Sequence, residues 1–291
     1  MNKIPVLRID TFHQEEKNDD FYANNIVSHC TEFHNSITTP HKHDFYVTVL
    51  FSNGSGTHEI DFNHYEVKKG SVFMLKPGQI HHWELSDDIE GIIFVHTESF
   101  YNLHFTNKRI SHFPFFYSTQ NSPHILLEED AFFNLQNLFE TILEEYSSEK
   151  LMNLQKIRSL IDICYIELER NYLTTSLIPS FKNNHYTHKI HQLEQLIDQH
   201  FTSEKSPKKY AEWMNISTKH LNRIVQLHFN KTTQDLITER IILEAKRLLI
   251  NANETLYSIA FQLGYEEYPY FSRVFKKKCL ETPSEFLSRY K

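Results

Sequence analysis

Two sets of side chains in this sequence could do chemistry. In the first half, His41, His43 and His81 supply imidazole groups, which are ligands for zinc, iron and nickel. Near the end, Arg273 and the run 276–278 concentrate positive charge on a short segment, although the formal net charge of the chain is −7. Clustered cations suit a polyanion. The two sets therefore indicate different chemistry in different parts of the chain.

The charge of the whole chain divides in the same way. From Tyr186 onward there are 16 Lys and Arg against 12 Asp and Glu, a net charge of +4. Residues 1–185 hold 14 basic and 25 acidic residues, a net charge of −11, and 14 of the 19 histidines. This division predicts a polyanion partner for the C-terminal part. Ordinary surface variation would also give an excess of this size, so charge alone does not identify DNA.

The C-terminal part contains an internal repeat. LNRIVQLHFNKTT (221–233) aligns with FSRVFKKKCLETP (271–283) at an offset of 50, so that Arg223 matches Arg273. Upstream of each segment, a small alanine is followed by a residue that tolerates a left-handed backbone. These residues are Ala211 and Asn215 in AEWMNIS, and Ala260 and Gly264 in AFQLGYE.

Each copy therefore predicts a helix, a tight turn and a second helix, and such motifs place the second helix in a major groove. The predicted DNA-contacting residues are Lys219, Asn222, Arg223, Tyr268, Tyr270, Ser272, Arg273, Lys276 and Lys277. Arginine and asparagine would read base edges, and the lysines would hold phosphates. A small amphipathic bundle with a solvated basic face is the alternative. Two motifs in register, both with arginine, favour DNA binding.

Other elements must position these residues. Within 40–100, short apolar or alternating runs are separated by turn signals such as SNGSG and KPGQ, which predicts a small antiparallel barrel or sandwich. From about Glu128 the apolar period becomes helical in two stretches, 132–146 and 151–170. Their apolar faces would either pack on the barrel or form a seam between subunits.

The sequence thus predicts an α+β fold with two domains, a β-barrel with helices followed by an all-α domain. We predict the barrel over 1–127, a helical packing or dimerisation segment over 128–173, a linker over 174–187 and the DNA-binding domain over 188–291.

The segment SIAFQLGYEEYPYFSRVFKKKCLETPSEF (258–286) resembles AraC/XylS-type transcription regulators. In that family a long helix, here 232–253, joins two helix-turn-helix motifs. The resemblance implies that two recognition helices enter successive major-groove segments about one turn (~34 Å) apart. The family usually has glycine after the second recognition helix, where this chain has Leu280. Leucine does not readily adopt a left-handed backbone, so we expect this turn to be remodelled or strained.

The segments TPHKHDFYVTVLF (39–51) and GSVFMLKPGQIHHWEL (70–85) resemble the cupin-type effector barrel found ahead of many AraC-type tails. The resemblance implies a small molecule in the barrel and dimerising helices after it. Candidate effector-binding residues are His41, His43, Phe45, His81 and Trp83, of which Phe45 and Trp83 offer stacking surface for a sugar or an aromatic effector.

The three histidines also occupy the positions at which catalytic cupins bind a metal. Those enzymes have a glutamate about four residues after the second histidine, where this chain reads Tyr46, Val47 and Thr48. We therefore expect no bound metal or other cofactor, and expect the histidines to hydrogen-bond within the barrel or line an organic-ligand pocket. If a metal does bind, His41, His43 and His81 are its candidates.

Several classes of protein lack support in the sequence. There is no GxSxG, GxxxxGK or GxGxxG motif. No apolar run approaches the ~18 residues that a membrane span needs, and the three separated cysteines fit a reducing compartment. We expect a cytoplasmic protein that is not an enzyme and has no membrane partner.

The function predicted from the sequence is a DNA-binding transcription regulator, acting as an activator or a repressor, that responds to a small-molecule effector. Double-stranded DNA, the effector and a second copy of the chain are its expected partners, with RNA polymerase as a further one. Two alternatives remain open at this point. One is a metal-dependent cupin enzyme with a helical appendage, and the other is a DNA-binding regulator that needs no effector.

Overall fold

The computed structural model describes residues 4–12, 20–37, 39–105, 108–148, 150–175, 184–251 and 254–290. The chain forms two compact units. One is Pro5–Leu177, and the other contains Ile178–Lys291.

Two five-stranded sheets form the N-terminal unit. The first has the order β1 (Val6–Leu7), β3 (His41–His43), β8 (Ile80–Leu85), β5 (Ser55–Ile60) and β6 (Asn63–Lys68). The second has the order β10 (His124–Leu126), β7 (Ser71–Leu75), β4 (Tyr46–Asn53), β9 (Glu90–His96) and β2 (Phe21–Asn25). The β1–β3 pair is parallel, and the other strand pairs are antiparallel. The sheets share one apolar core, so the predicted barrel or sandwich is a two-sheet sandwich.

Strand β4 explains why the second sheet reads as a continuous apolar run. Val47, Val49 and Phe51 point into the core between the sheets, whereas Tyr46 and Leu50 belong to a second core on the other face. A strand that is buried on both faces has no polar alternation to show. The second sheet therefore separates two hydrophobic cores and contributes side chains to both.

Helices build that second core. The helices of this unit are α1 (Ile26–Ile37), α2 (Glu98–Asn102), α3 (Pro114–Tyr117), α4 (Glu129–Ser147) and α5 (Asn153–Thr175), with 3₁₀ turns at Ile9–Phe12 and Ile110–His112. Leu135 and Phe139 of α4, and Ile161 of α5, are fully buried in it. The apolar faces of α4 and α5 therefore pack within the chain.

A buried polar group ties the sheet to α5. The Tyr165 hydroxyl lies 2.8 Å from Nε2 of His96 on β9 and 3.1 Å from Oγ1 of Thr48 on β4. The other ring nitrogen of His96, Nδ1, donates to the Thr97 carbonyl at 2.8 Å. Satisfied buried polar networks of this kind fix one arrangement of the elements they join.

The C-terminal unit is all helical in its described residues, which confirms the α+β fold class. Its helices are α6 (Asn184–His200), α7 (Pro207–Trp213), α8 (Thr218–Phe229), α9 (Thr233–Asn251), α10 (Leu256–Gln262), α11 (Tyr268–Cys279) and α12 (Pro283–Arg289). The long helix predicted over 232–253 is α9, and residues 252–253 lie outside the described residues. The predicted linker also lies largely outside them, since residues 176–183 are not described, so the domain limits stay a prediction. None of the helices in the described ranges combines the length and hydropathy that a membrane span requires.

Candidate DNA-binding surface and histidine cluster

The first helix pair is joined by a specific backbone turn. Asn215 has φ +52°. Its N–H donates to the Glu212 carbonyl at 3.0 Å, and the Ile216 N–H donates to the Ala211 carbonyl at 3.0 Å. This is the Schellman pattern, in which two amides after a helix satisfy its last carbonyls.

The second pair repeats the turn atom for atom. Gly264 has φ +73° and donates to the Phe261 carbonyl at 2.9 Å, and Tyr265 donates to the Ala260 carbonyl at 3.0 Å. Ala211 and Ala260 are both 1% exposed, as the predicted close helix approach requires. The predicted left-handed positions and the two helix-turn-helix motifs are therefore confirmed.

The two copies begin their second helices differently. Helix α8 starts three residues after Asn215, and the Ser217 side chain accepts from the His220 amide. Helix α11 starts four residues after Gly264 and has a proline, Pro269, in its first turn. The second turn is thus one residue longer than the first.

Most of the predicted DNA-contacting side chains reach the surface. Exposed residues among them are Lys219, Arg223, Tyr270, Arg273, Lys276 and Lys277, and those of intermediate exposure are Asn222, Tyr268 and Ser272. Phe271 and Phe275 of α11 are fully buried. The Arg273 guanidinium lies 5.8 Å from the centre of the Tyr270 ring, so these two exposed groups lie on one surface of α11.

Asn222 differs from the rest of this set. Its Oδ1 accepts from the backbone N–H of Thr233 at 3.0 Å, and thereby satisfies an amide at the start of α9. At the equivalent positions of the second copy, Pro283 has no N–H to satisfy and Ser272 replaces the asparagine. The side-chain oxygen of Asn222 is therefore used in a hydrogen bond within the protein. The predicted contact with a base would come from its side-chain nitrogen.

The lysine run is also not uniform. Lys278, the third of the run, lies 2.7 Å from Asp235 Oδ1 and 3.7 Å from Glu239 Oε1, both on α9. Lys231, just after α8, lies 2.8 Å from Glu239 Oε2. Lys278 therefore ties α11 to α9.

Strand pairing in the first sheet brings His41, His43 and His81 close together. His41 and His43 lie two apart on β3, hence on one face, and His41 pairs directly with His81 on β8. All three point into the sandwich and are 1%, 7% and 1% exposed, respectively. One ligand nitrogen from each lies within 4.8 Å of the others.

Hydrogen bonds orient these rings. His41 Nδ1 donates to the Thr39 carbonyl at 2.9 Å. His81 Nδ1 lies 2.8 Å from His58 Nε2, and His81 Nε2 lies 3.2 Å from His43 Nε2. Burial lowers the pKa of His41 to about 4 and the pKa of His43, His58 and His81 well below the usual range. These imidazoles are therefore neutral at pH 7.

The five predicted effector residues line one cavity, together with others that the sequence did not identify. Its walls are Phe12, His29, His41, His43, Phe45, Val47, His81, Trp83, Ile93 and Val95. The cavity has a volume of about 10 Å³, which is room for about one water molecule. His58 was missed as well, although its place two residues before Ile60 on an alternating strand indicates an inward side chain.

A larger space lies elsewhere on the N-terminal unit. An open cleft of about 600 Å³ runs between β4, β9, α1 and α4. Ser52, Glu90, Ile92, Glu140 and Glu144 are among its lining residues. Its volume, unlike that of the closed cavity, is in the range that holds small organic ligands.

Comparison with known proteins matches both units to domain families. Residues 210–289 match a helix-turn-helix domain model, and residues 26–93 match an AraC-like ligand binding domain model. Together these ranges take in about half of the chain.

Similar whole proteins are transcriptional activators. The chain is 21% identical over 252 residues to the HTH-type transcriptional activator RhaS of Enterobacter sp. (strain 638), covering 84% of this chain and 86% of that protein. It is 23% identical over 259 residues to RhaR of Mannheimia succiniciproducens, covering 86% and 87%. Among solved structures, ToxT of Vibrio cholerae aligns with a TM-score of 0.45 and 16% identity over 92% of this chain and 98% of that one. With its two-sheet domain, its duplicated helix-turn-helix and matches to both family models, the chain belongs to the AraC/XylS-type transcription regulators, DNA-binding proteins with an N-terminal ligand-binding domain.

Proposed function

We propose that the chain regulates transcription by placing α8 and α11 in two neighbouring major-groove segments on one face of the DNA. The observation that carries this proposal is the pair of matching Schellman turns, each followed by a helix with an exposed arginine at the same position of the repeat. Each copy therefore ends its first helix in the same way before its second helix begins, although the second turn is one residue longer.

The exposed residues divide by chemistry. Arg223 and Arg273 would read base edges, since a guanidinium forms two parallel hydrogen bonds with guanine. Lys219, Lys276 and Lys277 would contact phosphates, which positions the protein without reading sequence. Tyr268, Tyr270 and Ser272 would supply further contacts from α11.

Substitution at Arg273 and Lys277 tests this division. Arg273→Ala should cost about 1–3 kcal/mol of binding free energy on the preferred operator and relax base preference at one position. Lys277→Ala should weaken binding to all duplexes alike and reduce the salt slope by about 1. The measurement is selection from random duplexes followed by binding curves at several salt concentrations. Equal losses on all sequences for both variants would contradict the division.

We also propose that a small-molecule effector controls this binding from the N-terminal unit. His41, His43, Phe45, His81 and Trp83 remain the residues predicted from the sequence, but their closed cavity would admit a sugar only if the two sheets moved apart. The volume of the open cleft beside α4 favours that cleft for an organic effector.

The remaining parts of the proposal concern partners. A homodimer would have to use exposed residues of the helical segment, such as Phe133 and Ile163, because the apolar faces of α4 and α5 are buried. An activator would also contact RNA polymerase. We propose a cytoplasmic, non-catalytic role, which the activator names of RhaS and RhaR support.

A further inference from the structure

The three inward histidines of β3 and β8 form a compact group of nitrogen atoms in the core of the N-terminal unit. Three imidazoles on neighbouring strands converge within 4.8 Å, and each is more than 90% buried. Buried polar atoms need partners, and apolar side chains such as Phe45 and Trp83 surround these. A group of this kind either satisfies itself or binds something small.

The separation of one pair of these nitrogens, on His43 and His81, fits a shared ion. Two imidazole nitrogens at 2.0–2.1 Å from one tetrahedral Zn²⁺ lie roughly 3.3 Å apart. His43 Nε2 and His81 Nε2 are 3.2 Å apart. Two bare lone pairs at that distance repel, so one proton or one cation must lie between them. The third ring, His41, lies beside both, with ring centres 4.9 Å from His43 and 4.3 Å from His81.

The Nδ1 atoms of His41 and His81, which would face away from the ion, have hydrogen-bond partners, as such nitrogens usually do in protein metal sites. A metal-bound histidine usually donates its second N–H to a carbonyl or another acceptor, which fixes its ring. His41 Nδ1 donates to the Thr39 carbonyl, which leaves its Nε2 with a lone pair. In the tautomer in which His58 Nε2 accepts from His81 Nδ1 at 2.8 Å, His81 Nε2 is bare and the His58 proton lies on Nδ1, which is buried without a hydrogen-bond partner in the described part of the chain. Two of the three rings are thus oriented by a second layer of groups.

The adjoining space limits the ligand to an ion. The cavity of about 10 Å³ beside these rings has room for about one water molecule and for no organic molecule. Neutral imidazoles without a thiolate suit zinc, iron, nickel or copper. A water molecule in the cavity would then be the fourth ligand.

We propose that His41, His43 and His81 bind one divalent transition-metal ion, and that His58 positions His81. This reverses the expectation from the sequence, which rested on a missing glutamate. It goes beyond the regulatory function and does not depend on it, because the metal can be measured without DNA or effector.

Metal titration of the purified full-length chain tests the proposal. After treatment with a chelator, the protein should bind one Zn²⁺ per chain, and Co²⁺ should give the visible absorption of a site with nitrogen ligands. X-ray absorption of the wild-type zinc form should show nitrogen ligands at about 2.0–2.1 Å. That readout needs no variant, so a misfolded substitution cannot leave the question open.

Variants then assign the ligands. His43→Ala and His81→Ala should lose the ion, whereas His58→Ala should keep one ion per chain and bind it about 10–100-fold more weakly. His82→Ala is the matched control, because His82 points to the opposite face of β8 and lies 3.7 Å from Glu59. A wild-type chain that takes up no metal from excess Zn²⁺ would overturn the proposal. Equal loss of metal in His82→Ala and His43→Ala would do so too.

Discussion

Leu280 holds a backbone conformation that residues with a Cβ rarely adopt. Its φ is +65°, and its N–H donates to the Lys276 carbonyl at 2.8 Å, so it ends α11 as Asn230 ends α8. The expected strain is thus present and the turn is not remodelled. The Leu280 side chain is 88% exposed, so burial offsets little of the cost of about 1–2 kcal/mol.

Leu280→Gly should therefore stabilise the C-terminal unit. Glycine adopts this conformation without a Cβ clash, so we expect the free energy of unfolding to rise by about 1 kcal/mol. Hydrogen exchange of the α11 amides measures the change. Asn230→Gly is the control and should have a smaller effect, since asparagine tolerates the left-handed region. If Leu280→Gly lowered the free energy of unfolding instead, the leucine side chain would have to stabilise the fold despite its exposure.

Helix α9 is joined to α11, and to the residue after α8, through ion pairs at its first two turns. Asp235 and Glu239 form ion pairs with Lys278 of α11. Glu239 also forms an ion pair with Lys231, which lies just after α8. Hydrogen bonding to Lys278 holds the pKa of Asp235 below its usual range. Partial exposure of these groups keeps the contribution of each pair modest.

Lys278→Met should lower the free energy of unfolding of the C-terminal unit by about 0.5–1 kcal/mol at pH 7. Because the folded-state pKa of Asp235 is lowered, the stabilisation is present above the usual aspartate pKa of about 3.9 and is lost as pH falls below it. The difference between wild type and variant should therefore shrink below about pH 4. Lys277→Met, on the exposed neighbour, should leave stability unchanged at every pH. Urea unfolding over a pH series measures both, and a pH-independent difference would contradict the role of Asp235.

The elements that the sequence predicted well are those whose pattern is local. The periods of α4 and α5, and the Asn215 and Gly264 turns, depend on residues within one or two helical turns. Strand β2 was not predicted, because its partner β9 is about 70 residues away and no local pattern identifies a long-range pair. The histidine cluster was predicted in part for the same reason. His41 and His81 could be named from a resemblance, whereas the contribution of His58 depends on the register between β5 and β8.

At the scale of the whole molecule, the regulator must couple two ligands. If an effector changes operator affinity by some factor, the operator must change effector affinity by the same factor, typically 5–150-fold. Among the places that the N-terminal unit offers for an effector are the open cleft and the closed cavity. Because the cleft has the volume of a small organic molecule and the cavity does not, we propose the cleft as the effector site.

Ser52→Trp should fill the cleft and abolish both effector binding and its influence on DNA, while binding to DNA itself persists. Trp83→Phe, in the wall of the closed cavity, should leave effector binding nearly unchanged. A screen for small molecules that raise the melting temperature of the wild type identifies an effector. Titrations with and without the operator then measure how far the effector changes operator affinity and how far the operator changes effector affinity. Loss of binding in Trp83→Phe alone would move the effector to the cavity, and an effector that binds without changing operator affinity would contradict the coupling.

The extra residue in the turn before α11 has a consequence for promoters. The helix after the short turn presents Lys219 and Arg223, whereas the helix after the long turn presents Tyr270 and Arg273. As the proposed DNA-reading helices, α8 and α11 present unlike side chains in a fixed order along the chain, so the DNA site that they would bind is asymmetric. An inverted copy of that site would bind the same chain in the opposite direction along the DNA.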